Sequence, residues 1–207
     1  DRGVSVVPID LLRVRESYRE LGRLSRDTPV HDVLVHDGQL WVATPRGVAM
    51  ASLAAANLQD PDSWISWAID SVEDLLASDD GVLAAGKRGV LRQEGIAWVD
   101  DEAPRAATTF LDDGDRLLVA AGTFVYERRS GRWLLSGSTE TAAILDLARF
   151  GPVLWAATSG GLRVVNGVEL DVGDPPSSQF FDLALGADGR VWVASVPNDR
   201  VGLPQGL

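Results

Sequence analysis

The chain has no cysteine among its 207 residues, which excludes disulfide staples and thiolate metal sites. It has two histidines, His31 and His36, too few for a zinc site built on several imidazoles. No apolar run approaches the roughly 20 residues that a membrane-spanning helix needs, so direct membrane insertion is not expected. No long window carries apolar residues at i, i+3, i+4 and i+7, which argues against helical repeats. Positive charge is in deficit, with 19 Lys and Arg against 30 Asp and Glu for a net charge of −11. Nucleic acid is therefore not an expected partner, because phosphate contacts need Lys and Arg. A cation or a basic protein surface suits such a chain better, and net charge also serves solubility. The first residue is Asp1 rather than Met, as expected of a processed product or an excised piece.

What is present is ordinary in bulk and periodic in detail. Apolar residues make up 45% and charged residues 24%, as in soluble globular domains, while the 21 glycines point to many turns. Five segments repeat one pattern of apolar strand, Gly turn and second strand rich in Trp and small residues. They are residues 30–35, Asp37-Gly38 and 40–44; then 72–76, Asp80-Gly81 and 82–86; then 108–111, Asp113-Gly114 and 117–122; then 144–147, Gly151 and 154–158; then 181–185, Asp188-Gly189 and 191–195. Aligned on Trp41, Leu83, Val119, Trp155 and Trp192, the steps are 42, 36, 36 and 37 residues. A period near 40 with several strands per unit marks propeller blades. Third and fourth strands follow at 47–50 and 63–69, 89–92 and 95–99, 124–127 and 132–135, and 161–165 and 168–170, giving the four strands of a blade.

The expected fold is all-β: a β-propeller of five blades, each of four antiparallel strands, closed by pairing of N- and C-terminal strands. It is a single domain over 1–207, with blades near 30–70, 71–103, 104–138, 139–176 and 177–207, the last completed by 1–29. In that scheme residues 2–7 are a third strand and 15–24 an outer fourth strand. A short helix over 11–24 is the alternative, since Glu16, Arg19, Glu20 and Arg23 suit one. An arc cut from a larger propeller is the rival to closure. The Asp-Gly pairs predict two-residue hairpin turns with positive φ. Ala43, Ala85, Ala120, Ala157 and Ala194 would let blades approach, and the neighbouring Trp side chains would fill the wedge between them.

The strings Gly38-Gln39-Leu40-Trp41-Val42-Ala43-Thr44-Pro45-Arg46-Gly47-Val48 and Val153-Leu154-Trp155-Ala156-Ala157-Thr158-Ser159-Gly160-Gly161-Leu162 resemble the two-component regulator propeller repeat. That family reads roughly Asp-Gly-x-Leu-Trp-Val-Gly-Thr, a short turn, then Gly-Leu. Arg190-Val191-Trp192-Val193-Ala194-Ser195 is similar more loosely, and the second and third repeats depart by placing Leu83 and Val119 where the family has Trp. The motif is structural and covers most of the chain. The resemblance implies a bacterial, exported binding or scaffolding module, periplasmic or secreted, of the kind found in sensor domains and envelope proteins.

Chemistry, if any, is expected where first strands line a channel. Asp32, Asp74, Asp146 and Asp182 occupy equivalent points, with Thr109 in the third repeat. They form a candidate carboxylate ring for a ligand or a hard cation such as Ca²⁺, or they accept hydrogen bonds from backbone amides of the neighbouring connection. A crowded ring would raise some of their pKa values. Asp112-Asp113-Gly114-Asp115 lacks the spacing of a calcium loop and falls where a hairpin turn belongs, and Asp100-Asp101-Glu102 reads as a solvated face. Trp64, Trp67, Trp98 and Trp133 are the candidate aromatic contact surface. No Ser-His-Asp order, phosphate-binding loop or metal-binding His pair is found, so no catalytic residue and no required cofactor are assigned. The expected function is a non-catalytic module docking a protein partner or larger extracytoplasmic assembly. The alternatives are a lectin-like propeller that binds a sugar or small molecule, and a glycoside hydrolase using channel carboxylates.

Overall fold

A computed structural model describes residues 4–6, 16–167, 180–186 and 189–195. The expected strand at 168–170 and the turn residue Asp188 lie outside the described residues, as do 2–3, 7 and 11–15. Contacts gather the chain into two compact units, Asp1–Ala107 and Thr108–Leu207.

The first unit opens with β1 (Val4–Val6) paired to β2 (Glu16–Tyr18). The next sheet runs β3 (Asp32–His36), β4 (Gln39–Thr44), β5 (Gly47–Ser52) and β6 (Trp64–Trp67), each antiparallel to the one before. A single 3₁₀ turn, Pro61–Ser63, precedes β6, with Asp60 accepting the Asp62 amide at 3.0 Å. The third sheet repeats the order with β7 (Val72–Ser78), β8 (Gly81–Gly86), β9 (Gly89–Glu94) and β10 (Ala97–Asp100). The second unit carries a four-stranded sheet of β11 (Ala107–Asp112), β12 (Leu117–Ala121), β13 (Phe124–Arg129) and β14 (Arg132–Ser138). It continues with a three-stranded sheet of β15 (Ile144–Phe150), β16 (Val153–Thr158) and β17 (Gly161–Val164), and a pair of β18 (Phe180–Leu185) and β19 (Val191–Ser195).

The middle strands are buried on both faces, and their alternation assigns each face to a neighbour. Leu40 and Val42 of β4 join Ala49, Ala51 and Trp64 against Tyr18, Leu21 and Leu24. Trp41 and Ala43 join Val48 against Val72, Leu75, Val82 and Ala84 of the next sheet. In the second unit Leu118, Ala120 and Val125 meet Ile144, Leu147 and Ala156, and Ala157 and Leu162 meet Phe180 and Leu183. Burying each such Val or Leu is worth roughly 1.5–3 kcal/mol. The small residues Ala43, Ala85, Ala120 and Ala157 are buried as expected, but Ala194 is exposed. The wedge tryptophans diverge in the same order: Trp41 is 1% exposed, Trp155 is half-buried and Trp192 is 57% exposed. No described sheet follows β18–β19 in the second unit to cover Trp192.

Residues 16–24 are not a helix. β2 ends at Tyr18, so the outer strand expected over 15–24 is shorter than its pattern. Leu21 and Leu24 turn inward to the core, and Arg23 donates its backbone N–H to Ser66 Oγ at 2.9 Å. The turns also sort by type. Asp37 and Gly38 both have positive φ, 48° and 69°, in the two-residue hairpin expected. In the second repeat the glycine closes the turn instead: Gly81 directly follows Asp79-Asp80 and pairs with Ser78, at φ 108°. The Thr-to-Gly spacing of the repeat motif has its own reason. Thr44 Oγ1 donates to Gly47 O at 2.8 Å and accepts the Arg46 amide, and Thr158 does the same for Gly161 O and the Gly160 amide. Gly47 is obligatory twice over, since its φ is +130° and a Cβ would stand 1.9 Å from Trp67 O.

Candidate functional site

Each first strand is an edge of its sheet, so half of its backbone groups have no ladder partner. The chain deals with this in a repeated way. Register slips by one residue at Glu73, Leu145 and Phe181, each directly before the repeat's Asp. In the first repeat His31 donates its N–H to Ala43 O while Asp32 pairs with Ala43, the same two-against-one arrangement. These bulges re-aim the Asp side chain along the edge.

Asp32 Oδ2 accepts the N–H of Leu75 on the next first strand at 3.0 Å, and Asp74 Oδ1 accepts the same N–H at 2.8 Å. Asp146 Oδ2 accepts the N–H of Leu183 at 2.7 Å, in the corresponding place three repeats on. Thr109 Oγ1 donates to Asp146 Oδ1 at 3.2 Å. The residue before the Asp adds a second tie, which sequence reasoning missed. His31 Nδ1 lies 2.9 Å from Val72 O and 2.9 Å from Glu73 Oε2, and Thr108 Oγ1 donates to Ile144 O at 3.0 Å. His31 and Thr108 hold equivalent positions, as do the carbonyls they reach. The signal was there in the position before Asp32 and before Thr109, but residue types as different as His and Thr hid it. Ser71 Oγ donates to Glu73 Oε1 at 2.7 Å and completes a polar group around His31.

The five candidate channel residues are thus brought together in two sets, Asp32 with Asp74 in one unit and Thr109, Asp146 and Asp182 in the other. Asp146 is the perturbed member. Burial first, then a side-chain hydrogen bond and charge repulsion from Asp182, push its pKa up to about 6, against the pull of the Leu183 and Leu147 amides. A calcium ion takes six to eight converging oxygens. Here the oxygens aim at amides and a hydroxyl, and among the described residues no group of three or more His, Asp or Glu converges as a metal site.

The other acidic runs are also occupied. Asp113 accepts the amides of Asp115 and Arg116 at 3.3 and 2.9 Å and pairs with Arg149. Burial would raise its pKa, but the Arg116 amide and the Arg149 guanidinium hold it below the ordinary carboxylate range. Asp101, expected on a solvated face, is 9% exposed and lies 3.4 Å from Arg92. Burial next to a guanidinium is what that carboxylate needs, and Arg92 on β9 supplies it.

In the first unit the candidate aromatics pack inward. Trp64 is 5% exposed, packs with Tyr18, and donates Nε1–H to Leu58 O at 2.9 Å, so it offers no free face. Trp67 and Trp98 are half-buried around Trp41: Trp67 stacks on it at 6.0 Å, and Trp98 meets both edge-on at 6.1 Å. They cement two sheets, with Trp67 Nε1–H donating to Ile96 O at 2.8 Å. Trp133 is half-buried on β14 of the other unit.

No known family profile matches the chain, and no curated protein does. Among solved structures, the extracellular domain of a putative one-component system of B. thetaiotaomicron is similar over 94% of this chain, at 13% identity and a TM-score of 0.75. A second structure of that domain, described as part of a putative hybrid two-component system, is similar over 93% at 13% identity and a TM-score of 0.73. The extracellular domain of another putative hybrid two-component system from the same organism is similar over 89%, at 16% identity and a TM-score of 0.62. In each case 29% of that chain is covered, so this chain spans less than a third of the length of the solved chains it matches. At such identities the likeness carries fold alone, and together with the repeated antiparallel sheets it makes this chain an all-β propeller.

Proposed function

We propose that the chain is a non-catalytic propeller module that works outside the cytoplasm and docks a protein partner or larger assembly. The observation that carries this reading is the use of the inner-strand carboxylates. Those that could have done chemistry accept hydrogen bonds that tie one first strand to the next. Asp146 has the raised pKa of a general acid, but glycoside hydrolysis needs two carboxyl groups roughly 5–10 Å apart, and Asp146 hydrogen-bonds to the neighbouring Asp182. Lectin-like binding needs exposed aromatic platforms, whereas Trp64 is buried and Trp67 and Trp98 are packed on Trp41. The extracytoplasmic placement rests on the extracellular domains that share the fold and on the repeat resemblance. A five-bladed ring remains part of this reading on the repeat count.

The test is a photo-cross-linking scan of the protein in its native cell, with the reactive residue placed in turn on the outer strands. A discrete protein adduct supports docking. Hydrolysis of an aryl glycoside panel that Asp146→Asn abolishes would overturn it in favour of the enzyme, and saturable glycan binding without any adduct would favour the lectin.

A further inference from the structure

Charge in the first unit is segregated by end. In a chain of net charge −11, the turns joining first to second strands there carry acid alone, at Asp37 and Asp79-Asp80. The turns joining second to third strands carry base alone, at Arg46 and Lys87-Arg88. Antiparallel order sets these two kinds of turn at opposite ends of each sheet. In the second unit the matching second-to-third turns, Gly122-Thr123 and Ser159-Gly160, are uncharged, so the basic end is not a demand of the fold.

Two connections gather the basic turns. Residues 67–71 pass both of them: a Cβ on Gly47 would stand 2.9 Å from Ile69 N, Lys87 donates its N–H to Ser71 O at 3.1 Å, and Lys87 Nζ lies 3.4 Å from Asp70 Oδ2. Residues 103–106 cross the second turn and bring Arg105 with them. A Cβ on Gly89 would stand 2.7 Å from Ala103 O, and Ala106 donates its N–H to Lys87 O at 3.1 Å. Ala106 does so at φ 59°, a left-handed conformation that an alanine keeps only where its surroundings hold it there. Four cations thus stand on pinned backbone at one end of two packed sheets. Arg46, Arg88 and Arg105 are exposed, and none has an acidic partner among the described residues.

The acids among these cations decide what fits. Asp70 sits between the two turns and pairs with Lys87, and Glu102 is exposed in the second connection. The Ser71 amide and then Lys87 hold Asp70 below the ordinary carboxylate range, with Arg88 adding to the pull, so it is charged at neutral pH. A compact polyanion such as an oligophosphate would meet those two carboxylates. Single carboxylates spaced along a protein surface instead each take one guanidinium fork, which presents two parallel N–H donors. The negative charge of the whole chain does not forbid this, since charges further off than about 8 Å are largely screened at physiological ionic strength. We propose that the end of the first unit bearing Arg46, Arg88 and Arg105 docks an acidic surface segment of the partner protein. The inference rests on the docking function proposed above and names its surface and the chemistry of the partner.

The probe is a capped hexaglutamate peptide titrated into the ¹⁵N-labelled chain at about 0.15 M salt. Saturable shifts are expected at the amides of residues 46, 87–89 and 105–106, with a hexalysine peptide giving none. Arg88→Glu combined with Arg105→Glu should weaken binding at least about tenfold, while Arg132→Glu, at an exposed arginine of the other unit, should leave it unchanged. Both substituted sites are exposed, and an amide spectrum unchanged elsewhere shows that the variant is folded. No saturable shift up to about 1 mM peptide overturns the inference. So does unchanged affinity in the double variant, or equal weakening by Arg132→Glu, which reduces the site to a general anion effect. Tighter binding of tripolyphosphate at the same amides overturns it by making a phosphate-rich ligand the occupant. Concentration-dependent self-association that Arg88→Glu abolishes overturns it by making the acidic end of a second copy the occupant. For the partner itself, the cross-linking scan is extended to position 102, where an adduct is expected. Adducts from outer strands but none from position 102 leave docking standing and refute this surface. If none form anywhere, docking itself has failed and this inference falls with it.

Discussion

The tie between successive first strands is made in two chemical settings. In the first unit Asp32 reaches the Leu75 amide with His31 beside it, and the bulge opposite is Glu73, so the contact sits among polar groups that hydrogen-bond one another. In the second unit Asp146 reaches the Leu183 amide at similar length, but the bulge residues are Leu145 and Phe181. Burial dominates there, Asp182 adds to it against the pull of the Leu183 and Leu147 amides, and the Asp146 pKa rises to about 6. Backbone geometry is copied from repeat to repeat, while the residue before each Asp changes from repeat to repeat.

The largest expected contrast between the units lies in the wedge tryptophans. Trp41→Ala empties a fully packed site and should cost about 3–5 kcal/mol in chemical denaturation. Trp192→Ala, at an exposed position, should change stability by less than about 0.5 kcal/mol. Equal losses would mean that Trp192 is covered in solution. Next comes the loss of an acceptor. Asp146→Ala removes the acceptor of the Leu183 amide and one of the two acceptors of the Thr109 hydroxyl and should cost roughly 1–3 kcal/mol, whereas Asp32→Ala should cost less, because Asp74 also accepts the Leu75 amide.

The pH dependence sharpens the comparison further. A carboxyl whose folded pKa is raised binds more protons folded than unfolded, so its contribution is fully present below the unfolded value of 3.8. That contribution is lost as pH rises to about 6. Other groups on the elements around Asp146 are few: β12 and β16 carry no ionisable side chain, Asp112 of β11 accepts the Gly114 amide, and Arg149 of β15 is paired with Asp113. Hydrogen exchange at Leu183 should therefore become faster than its intrinsic pH dependence between pH 4 and 7, and Asp182→Asn should remove that excess. Glu127 acts with the opposite sign. The Arg129 hydrogen bonds hold it low, so its contribution is present above its unfolded value and lost on acidification. The smallest expected effect is Leu145→His, which copies the first unit's setting into the second and should lower the Asp146 midpoint, read by carboxyl NMR, with little change in stability. An unmoved midpoint would show that the bulge residue does not set it.

Blade periodicity was legible because Trp41, Ala43, Thr44 and Gly47 each answer a local demand that recurs, and residues answering one demand look alike. The Asp at four of the five first strands was legible as a repeated residue, and the amide-accepting geometry of Asp32 and Asp146 follows from the edge each sits on. His31 and Thr108 were not legible, since a side chain that only has to donate one hydrogen bond to a carbonyl can be of several types. Nor was the fate of the tryptophans, because burial at Trp64, Trp67 and Trp98 depends on which element lies across from each face. The turn at 19–24 escaped for a similar reason: its charged residues suit a helix, but Leu21 and Leu24 are claimed by a core built from other sheets.

Among the described residues, the ties from side chain to backbone run in one direction, from one repeat to the next within each unit. A segment copied from one bulge to the residue before the next therefore carries both what it gives and what it receives. Such a segment could be duplicated or deleted in a gene without leaving an unmatched edge at either junction. The spacing of these bulges thus marks natural points for recombination, and blade number becomes a quantity that can drift while the inner strands stay satisfied.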